Sequence, residues 1–441
     1  MEEIGIRKTH DNLKTKLSDY IKAQYFAEND LLIEASKEIL NKKGILYQEP
    51  YIEMSKSYKQ SYTGFATSSL DGKYKDILNE LTKYKLGVFS TPFIHQLNAV
   101  ENFYNGKNIL VTIGTGSGKT ECFLWPILTN LIYEARYNSK TWEQEGIRAL
   151  VLYPMNALVS DQLGRLRNII GSEDDSFYNL LSQGENRRRA RFGMYTGRTP
   201  YAGKDDEKKN KNLAKVIDEN FMQSEVYDEL KKIGRIPSKD LGAFKDNLAR
   251  GVQVTGSDDS ELYTRTEMQN ICPDVLVTNY SMLEYMLMRP IEDAFWEKTI
   301  EWLNESKDNK LLLVIDEAHM YRGAPGGEVS LLIRRLMDRL HIDSTKMRCI
   351  LTSASVPMDK DEELQKFAYG LIGADEGEDF AIVRENLVDI NGYKKGSRQE
   401  AEFYSSLSLK KLQGDLKNQV AELSKIADYF SCEKPEESHE G

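Results

Sequence analysis

The chain has 441 residues, 40% of them apolar, with 59 basic and 69 acidic side chains and a net charge of -10. That length leaves room for about three domains and a sizeable core, and no run is long and apolar enough to cross a membrane. The acidic balance argues against a surface that is basic throughout. Residues 371–441 carry fifteen acidic and nine basic side chains, so they supply -6 of the -10; the remainder is close to neutral and leaves room for a local basic track. Cys122, Cys272, Cys349 and Cys432 lack pair spacing, which predicts neither a zinc site nor a disulfide framework. The first three sit in apolar contexts and read as small core residues. The N-terminus, Met1-Glu2-Glu3-Ile4-Gly5, lacks the basic and apolar parts of a signal peptide, and the expected compartment is the cytoplasm.

In chain order, residues 1–85 read as a helical extension. Leu13, Leu17, Ile21 and Tyr25 recur every four residues and predict one apolar face packed on the adjoining domain. A nucleic-acid contact through Lys56, Lys59 and Lys75 is the alternative, although scattered lysines usually solvate a surface. From about residue 86 to 382, short apolar runs alternate with helical stretches, the pattern of a parallel sheet covered by helices. The expected strands are 109–113, 149–153, 275–279, 311–315 and 349–352, in a domain placed at 86–370. Residues 171–267 are more polar and read as an insertion, partly helical around 213–233. It carries Arg187, Arg188, Arg189 and Arg191 just before the strand-like stretch Phe192-Gly193-Met194-Tyr195-Thr196-Gly197. Those arginines suit either a phosphate grip or a solvated basic turn. Residues 371–441 read as an acidic linker (375–379), an amphipathic helix with Leu409, Leu412, Leu416, Val420, Leu423 and Ile426 on one face, and a disordered tail (433–441). The stripe serves docking on its own domain or a partner surface.

Two sites carry chemistry. Gly114-Thr115-Gly116-Ser117-Gly118-Lys119-Thr120 follows the expected strand 109–113 and precedes a helix start at Glu121. Glycines there let the backbone curl so that its N–H groups face phosphate oxygens, and the helix adds its positive dipole end. Lys119 is placed for the β- and γ-phosphates and Thr120 for Mg²⁺. The full pattern calls for a small residue where Ile113 stands, so close backbone approach is expected from Gly114 onward. The second site is Asp316-Glu317-Ala318-His319, at the end of an apolar run of strand length. Open α/β sheets bind ligands beyond the carboxyl ends of their strands. Asp316 is thus expected to hold Mg²⁺ and Glu317 to orient and deprotonate a water; the alternative is that these carboxylates cap the next helix.

Together these pieces resemble motifs I and II of the superfamily 2 helicases of DEAD/DEAH type. Four others fall in that family's order. Phe93-Ile94-His95-Gln96 resembles the segment whose glutamine reads the adenine edge. Tyr153-Pro154-Met155-Asn156-Ala157-Leu158-Val159-Ser160-Asp161-Gln162 resembles motif Ia. Thr278-Asn279-Tyr280-Ser281-Met282-Leu283 resembles a later strand-contacting motif, and Thr352-Ser353-Ala354-Ser355 resembles motif III. The wording of Gln48-Glu49-Pro50-Tyr51-Ile52-Glu53 and His319-Met320-Tyr321-Arg322-Gly323 is similar to large bacterial helicases: DNA-repair helicases with a C-terminal domain of unknown function and, closer, Druantia-type phage-defence helicases.

The resemblance implies a RecA-like phosphate-loop lobe that binds ATP and Mg²⁺, with Gln96 at the base. Met155, Asn156, Thr278 and Asn279 would touch the nucleic-acid strand, DNA more than RNA, while His319, Ser353 and Ser355 would couple nucleotide state to those contacts. Such a motor also uses a second RecA-like lobe with arginines in a Gln-x-x-Gly-Arg-x-x-Arg type motif, and residues 356–441 contain nothing resembling it. The expectation is a first lobe completed by a downstream domain or a partner protein, with low hydrolysis alone. The competing expectation is an ATP-dependent binding subunit without turnover of its own. A phosphate-loop kinase fits neither the Asp-Glu-Ala-His box nor Gln96.

Overall fold

A computed structural model describes residues 6–26, 29–42, 44–48, 57–114, 116–184, 187–200, 203–354, 361–373, 380–388, 397–412 and 416–430. Its strands, in chain order, are β1 (Asn108–Thr112), β2 (Ala149–Tyr153), β3 (Phe192–Tyr195), β4 (Glu261–Leu262), β5 (Val275–Asn279), β6 (Leu311–Ile315), β7 (Met347–Ser353) and β8 (Phe380–Arg384). They form one sheet in the order β4-β3-β5-β2-β6-β7-β1-β8, and every pairing is parallel. Strand alternation sends side chains to two separate cores. Ile109, Val111, Val151, Tyr153, Leu312 and Val314 face one; Leu110, Leu150, Leu152, Leu311, Leu313 and Ile315 face the other. Burial on both faces is why these strands read as unbroken apolar runs.

The first core is covered by helices Gly72–Lys83, Ile94–Tyr104, Glu121–Tyr137 and Asn156–Ile169, the second by Tyr280–Met288, Asp293–Glu305, Ala324–Leu340 and Asp361–Ile372. Cys122, Cys272 and Cys349 are buried as expected; Cys432 lies outside the described residues.

Several expectations change. The sheet extends past the anticipated boundary at 370, because β8 pairs with β1 along its whole length, and the compact unit runs to Leu387. The stretch 171–267 is only in part an insertion, since β3 and β4 belong to the sheet. Between them, helices Glu207–Ile217 and Leu241–Ala249 enclose a small core of Leu213, Ile217, Phe244 and Leu248. The side chain of Lys239 is fully buried there, 3.2 Å from Asp259 and paired also with Glu267. The face expected to pack in the first helix, Ile6–Tyr25, instead leaves Leu13, Leu17 and Tyr25 exposed. It is the helix Gly72–Lys83 that docks, through Ile77, Leu78 and Leu81. Lys59 is exposed, Lys75 reaches the Ala66 carbonyl at 3.5 Å, and Lys56 lies outside the described residues.

Within the arginine run, Arg187 is exposed, as a solvated turn would have it, but Arg188 and Arg189 take neither expected role. Arg188 grips Asp274 with both arms at 2.8 Å and lies 4.0 Å from the Trp142 ring centroid. Arg189 pairs with Asp175 at 2.8 Å over Tyr178. Asp274 also meets Arg148 at 3.1 Å. Burial alone would raise its carboxyl, but Arg188 and Arg148 outweigh burial and hold it below the usual carboxylate range.

Residues 388–441 form a second unit. It holds helices Arg398–Ser406, Leu409–Leu412 and Leu416–Phe430, with Phe403 stacked on Tyr429 at 3.9 Å. Of the expected stripe, Leu416 and Leu423 are exposed, while Val420 and Ile426 are half-buried. Residues 375–379 and 433–441 lie outside the described residues.

Candidate active site

The glycine-rich loop leaves β1 at Thr112 and ends at the helix starting at Glu121. Gly116 and Gly118 have φ of 76° and 74°, the left-handed region in which glycine is unstrained. At Gly118 space is a second constraint, since a Cβ would lie 2.3 Å from Gln96 Nε2. Inside the loop, Ser117 Oγ donates to the Gly114 carbonyl at 2.7 Å. Thr115 lies outside the described residues.

Three strands bring the remaining groups to this loop. β6 delivers Asp316 and Glu317, β1 the loop, and β7 lies between them. Lys119 Nζ donates to Glu317 Oε1 at 3.2 Å across 198 residues of sequence. The Asp316 carboxylate accepts from the Thr352 hydroxyl and, at 3.1 Å, from the Glu317 amide. Neither carboxylate caps the short helix Ala318–Met320, which has no side-chain cap. Glu317 itself stands at φ 50°, an uncommon conformation for a residue with a Cβ that turns its carboxylate back toward Lys119.

Burial raises the Asp316 carboxyl above the usual carboxylate range and Glu317 adds to the shift, while Thr352 and Lys119 offset part of it. A buried carboxylate short of positive charge, together with the Thr120 hydroxyl at the end of the glycine-rich loop, is a donor set suited to Mg²⁺. That ion is usually held by one or two protein oxygens plus substrate phosphates. Among the described residues no group of three or more His, Cys, Asp or Glu side chains converges as an all-protein cage.

Gln96 is buried, its Oε1 accepting from the Phe93 amide at 2.9 Å and its Nε2 donating to the Gly118 carbonyl at 3.1 Å. Next to it, His95 Nε2 lies 2.9 Å from the Ser117 carbonyl. Gln162 Nε2 donates to the Thr120 hydroxyl at 3.4 Å, and Arg165 pairs with Glu121 at 2.8 Å. This ties the helix Asn156–Ile169 to the loop. His319 Nδ1 accepts from the Ala354 amide at 3.3 Å and lies 3.2 Å from Glu317 Oε2.

The expected strand contacts separate. Met155 is half exposed and precedes the helix that starts at Asn156. Asn279 caps the helix Tyr280–Met288 through the Met282 amide at 2.8 Å. Thr278 is fully buried and donates to the Tyr195 carbonyl at 2.6 Å, so its hydroxyl is turned into the sheet. Ser353 likewise turns inward and donates to its neighbour's carbonyl, Ala354, at 2.9 Å; on either side of it, Thr352 meets the Asp316 carboxylate and the Ala354 amide meets His319. Ser355 lies outside the described residues.

Four groups went unassigned in the sequence: His95, Gln162, Thr352 and the turn after β3. That turn is fixed by Thr199 Oγ1, which donates to the Met194 carbonyl at 2.6 Å and accepts from the Thr196 amide at 2.9 Å. It leaves Gly197 and Arg198 exposed beside the end of β5. The one sequence signal was Gly-Arg directly after an apolar run.

A family model described as DEAD/DEAH box helicase matches residues 93–200 and 222–364, more than half of the chain. The chain belongs to the DEAD/DEAH box helicase family. Its sheet, with helices on both faces, is the RecA-like lobe of that family. Druantia protein DruE of Escherichia coli is 38% identical over 467 residues, 98% of this chain and 25% of that protein. The uncharacterised ATP-dependent helicase YprA of Bacillus subtilis is 23% identical over 338 residues, 77% of this chain and 31% of that protein. Among solved structures, the DUF1998 helicase MrfA bound to DNA is similar over 90% of this chain and 43% of its own, at 17% identity and a TM-score of 0.41. The chain thus spans about a quarter to a third of these curated relatives. Among its described residues no helix is long and apolar enough to cross a membrane.

Proposed function

We propose that this helicase-family chain is the ATP-hydrolysing first lobe of a motor that moves on nucleic acid, DNA rather than RNA. The observation that carries the reading is the approach of Lys119 to Glu317, 3.2 Å apart, one from the loop after β1 and the other from the end of β6, the two strands that flank β7. Polyphosphate entering the loop would meet the amides of residues 116–120 and draw Lys119 from Glu317. The freed carboxylate would then orient the attacking water and accept its proton. Mg²⁺, held through Thr120 and Asp316, would neutralise charge building between the phosphates. Gln96 keeps a spare hydrogen on Nε2 and a spare lone pair on Oε1, enough to meet the adenine edge while it holds Gly118.

His319, Thr352 and the Ala354 amide join the nucleotide side of β6 to β7, and Gln162 joins Thr120 to the helix that begins beside Met155. Through these links the phosphate state would reach the strand contacts. Those contacts are best supported at the helix start Met155-Asn156, at Asn279, and at the exposed Gly197-Arg198 turn. All lie at the carboxyl ends of β2, β5 and β3, where helix N-termini and an arginine suit backbone phosphates. DNA is favoured by the motif wording shared with bacterial DNA-repair and defence helicases, and a role in phage defence by the Druantia relative. The much greater length of that relative leaves room for the second lobe whose arginines would stabilise transition-state charge, an effect of about a thousandfold or more.

The test is ATP hydrolysis by the chain with and without single-stranded DNA or RNA, using Lys119→Ala as control. DNA stimulation that vanishes in Lys119→Ala supports the reading. Nucleotide binding without turnover, even with a second lobe added, would favour a binding subunit instead.

A further inference from the structure

His95 has no solvent exposure and sits in the first turn of the helix Ile94–Tyr104. Its ring is stacked on Phe93 at 5.3 Å and met edge-on by Tyr58 at 5.4 Å. The partner of Nε2, the Ser117 carbonyl at 2.9 Å, can only accept, so Nε2 carries the proton. Nδ1 is then a bare lone pair, buried with no hydrogen-bond partner. Burial lowers the imidazole below its ordinary value against the opposing pull of Ser117, so the neutral, donating form persists.

The next residue does the same for the next carbonyl: Gln96 donates to Gly118 at 3.1 Å. In a trans peptide the C=O of one residue and the N–H of the next point in opposite directions. Holding the Ser117 carbonyl against the helix therefore turns the Gly118 amide the other way, toward the concave side of the loop. Holding the Gly118 carbonyl does so for the Lys119 amide. A cradle for anionic oxygens needs amides already turned inward, and Gly118 at φ 74° is free to flip its peptide unless something fixes it.

We infer that His95 is a positioning residue for polyphosphate: its Nε2–H fixes the 117–118 peptide plane so that the Gly118 amide faces the phosphates before nucleotide arrives. The inference rests on the phosphate-loop reading of residues 114–120. It differs from a packing role, because the ring alone does not perform it; the donor does. His95→Phe keeps the stacked ring and removes the donor, whereas His95→Gln removes the ring and returns an N–H at about the distance of Nε2.

The experiment is calorimetric titration of Mg-ATP into the full chain and its variants, with thermal unfolding measured alongside. His95→Phe is expected to bind about tenfold or more weakly, the size of one lost hydrogen bond to a polar site, and His95→Gln to recover to within about threefold. If His95→Phe does not fold, His95→Asn, too short to reach the carbonyl, replaces it with the same expectation. Wild-type affinity in His95→Phe, or equal losses in the Phe and Gln variants, would overturn the inference while a loss in Lys119→Ala leaves the loop reading standing. Unchanged affinity in Lys119→Ala would overturn both.

Discussion

Glu317→Gln is expected to separate binding from chemistry at this site. Lys119 and Glu317 lie 3.2 Å apart with side-chain exposures of 10% and 21%, a pair largely shielded from water. At an effective dielectric of about 20 their gross attraction is about 5 kcal/mol. Desolvation and competing water reduce the net to about 1.5–3 kcal/mol, the usual range for a hydrogen bond to a charged group. On the proposed reading, nucleotide would displace this pair as Lys119 moves to a phosphate. Glutamine keeps the shape but drops the charge, so about half of that cost disappears, and ATP affinity is expected to rise by up to about tenfold at about 1.4 kcal/mol per decade. Hydrolysis, in whatever assembly is active, is expected to fall about a hundredfold to ten-thousandfold as the general base is lost. Calorimetry gives the first quantity and single-turnover phosphate release the second. Weaker ATP binding in the variant would mean that the Lys119–Glu317 pair does not compete with nucleotide, and near-normal turnover would remove Glu317 from the chemistry.

Asp274→Asn is expected to cost about 3–5 kcal/mol of stability at neutral pH, because Arg148 and Arg188 lose a shared buried partner. The depressed Asp274 carboxyl makes its stabilisation complete above the unfolded value near pH ~3.9 and lost as pH falls through the lower folded value. Urea melts across that acid range should show a slope in the wild type that the variant lacks; matching slopes would exclude the pair as its source. Thr278→Val removes the hydroxyl bonded to the Tyr195 carbonyl and should cost about 1–3 kcal/mol without changing DNA affinity. A loss of DNA binding at unchanged stability would return Thr278 to the strand contact. Gln96→Ala should weaken ATP binding by freeing the Gly118 carbonyl and also narrow the gap between ATP and GTP in competition titrations. A loss equal for both nucleotides would leave Gln96 with the loop alone.

Much of the candidate site was legible as a pattern because its signals are local. A glycine-lysine turn between a strand and a helix, and an acidic pair ending an apolar run, each fit within ten residues. The features that stayed hidden depended on partners far away in sequence. The role of Arg188 is set by Asp274, 86 residues distant, so a cluster of arginines looked the same whether it faced a phosphate or a buried carboxylate. β8 is hidden in the sequence because it is an edge strand whose half-exposed Ala381 and Ile382 blur the apolar run, and only its register with β1 identifies it. The stripe Leu13, Leu17 and Tyr25 kept a helical period, yet period says which residues share a face and not that anything covers it.

The same limit explains which residue of each motif reaches the site. Side chains alternate along a strand, so two neighbours at its end cannot both serve one face. On β7 it is Thr352 whose hydroxyl bonds the Asp316 carboxylate, while Ser353 turns away to the Ala354 carbonyl. On β5 it is Thr278 that is committed to the neighbouring strand, and Asn279, one residue further on, sits where the strand gives way to a helix it caps. A motif read as letters treats such neighbours as equals. Strand parity separates them, and parity is fixed only once the pairing is known: Leu351 opposite Ile315 places Thr352 beside the residue that follows β6. The links between β6 and β7 are therefore made by Thr352, the Ala354 amide and His319, and on the proposed reading it is these groups, rather than Ser353, that would couple nucleotide to strand.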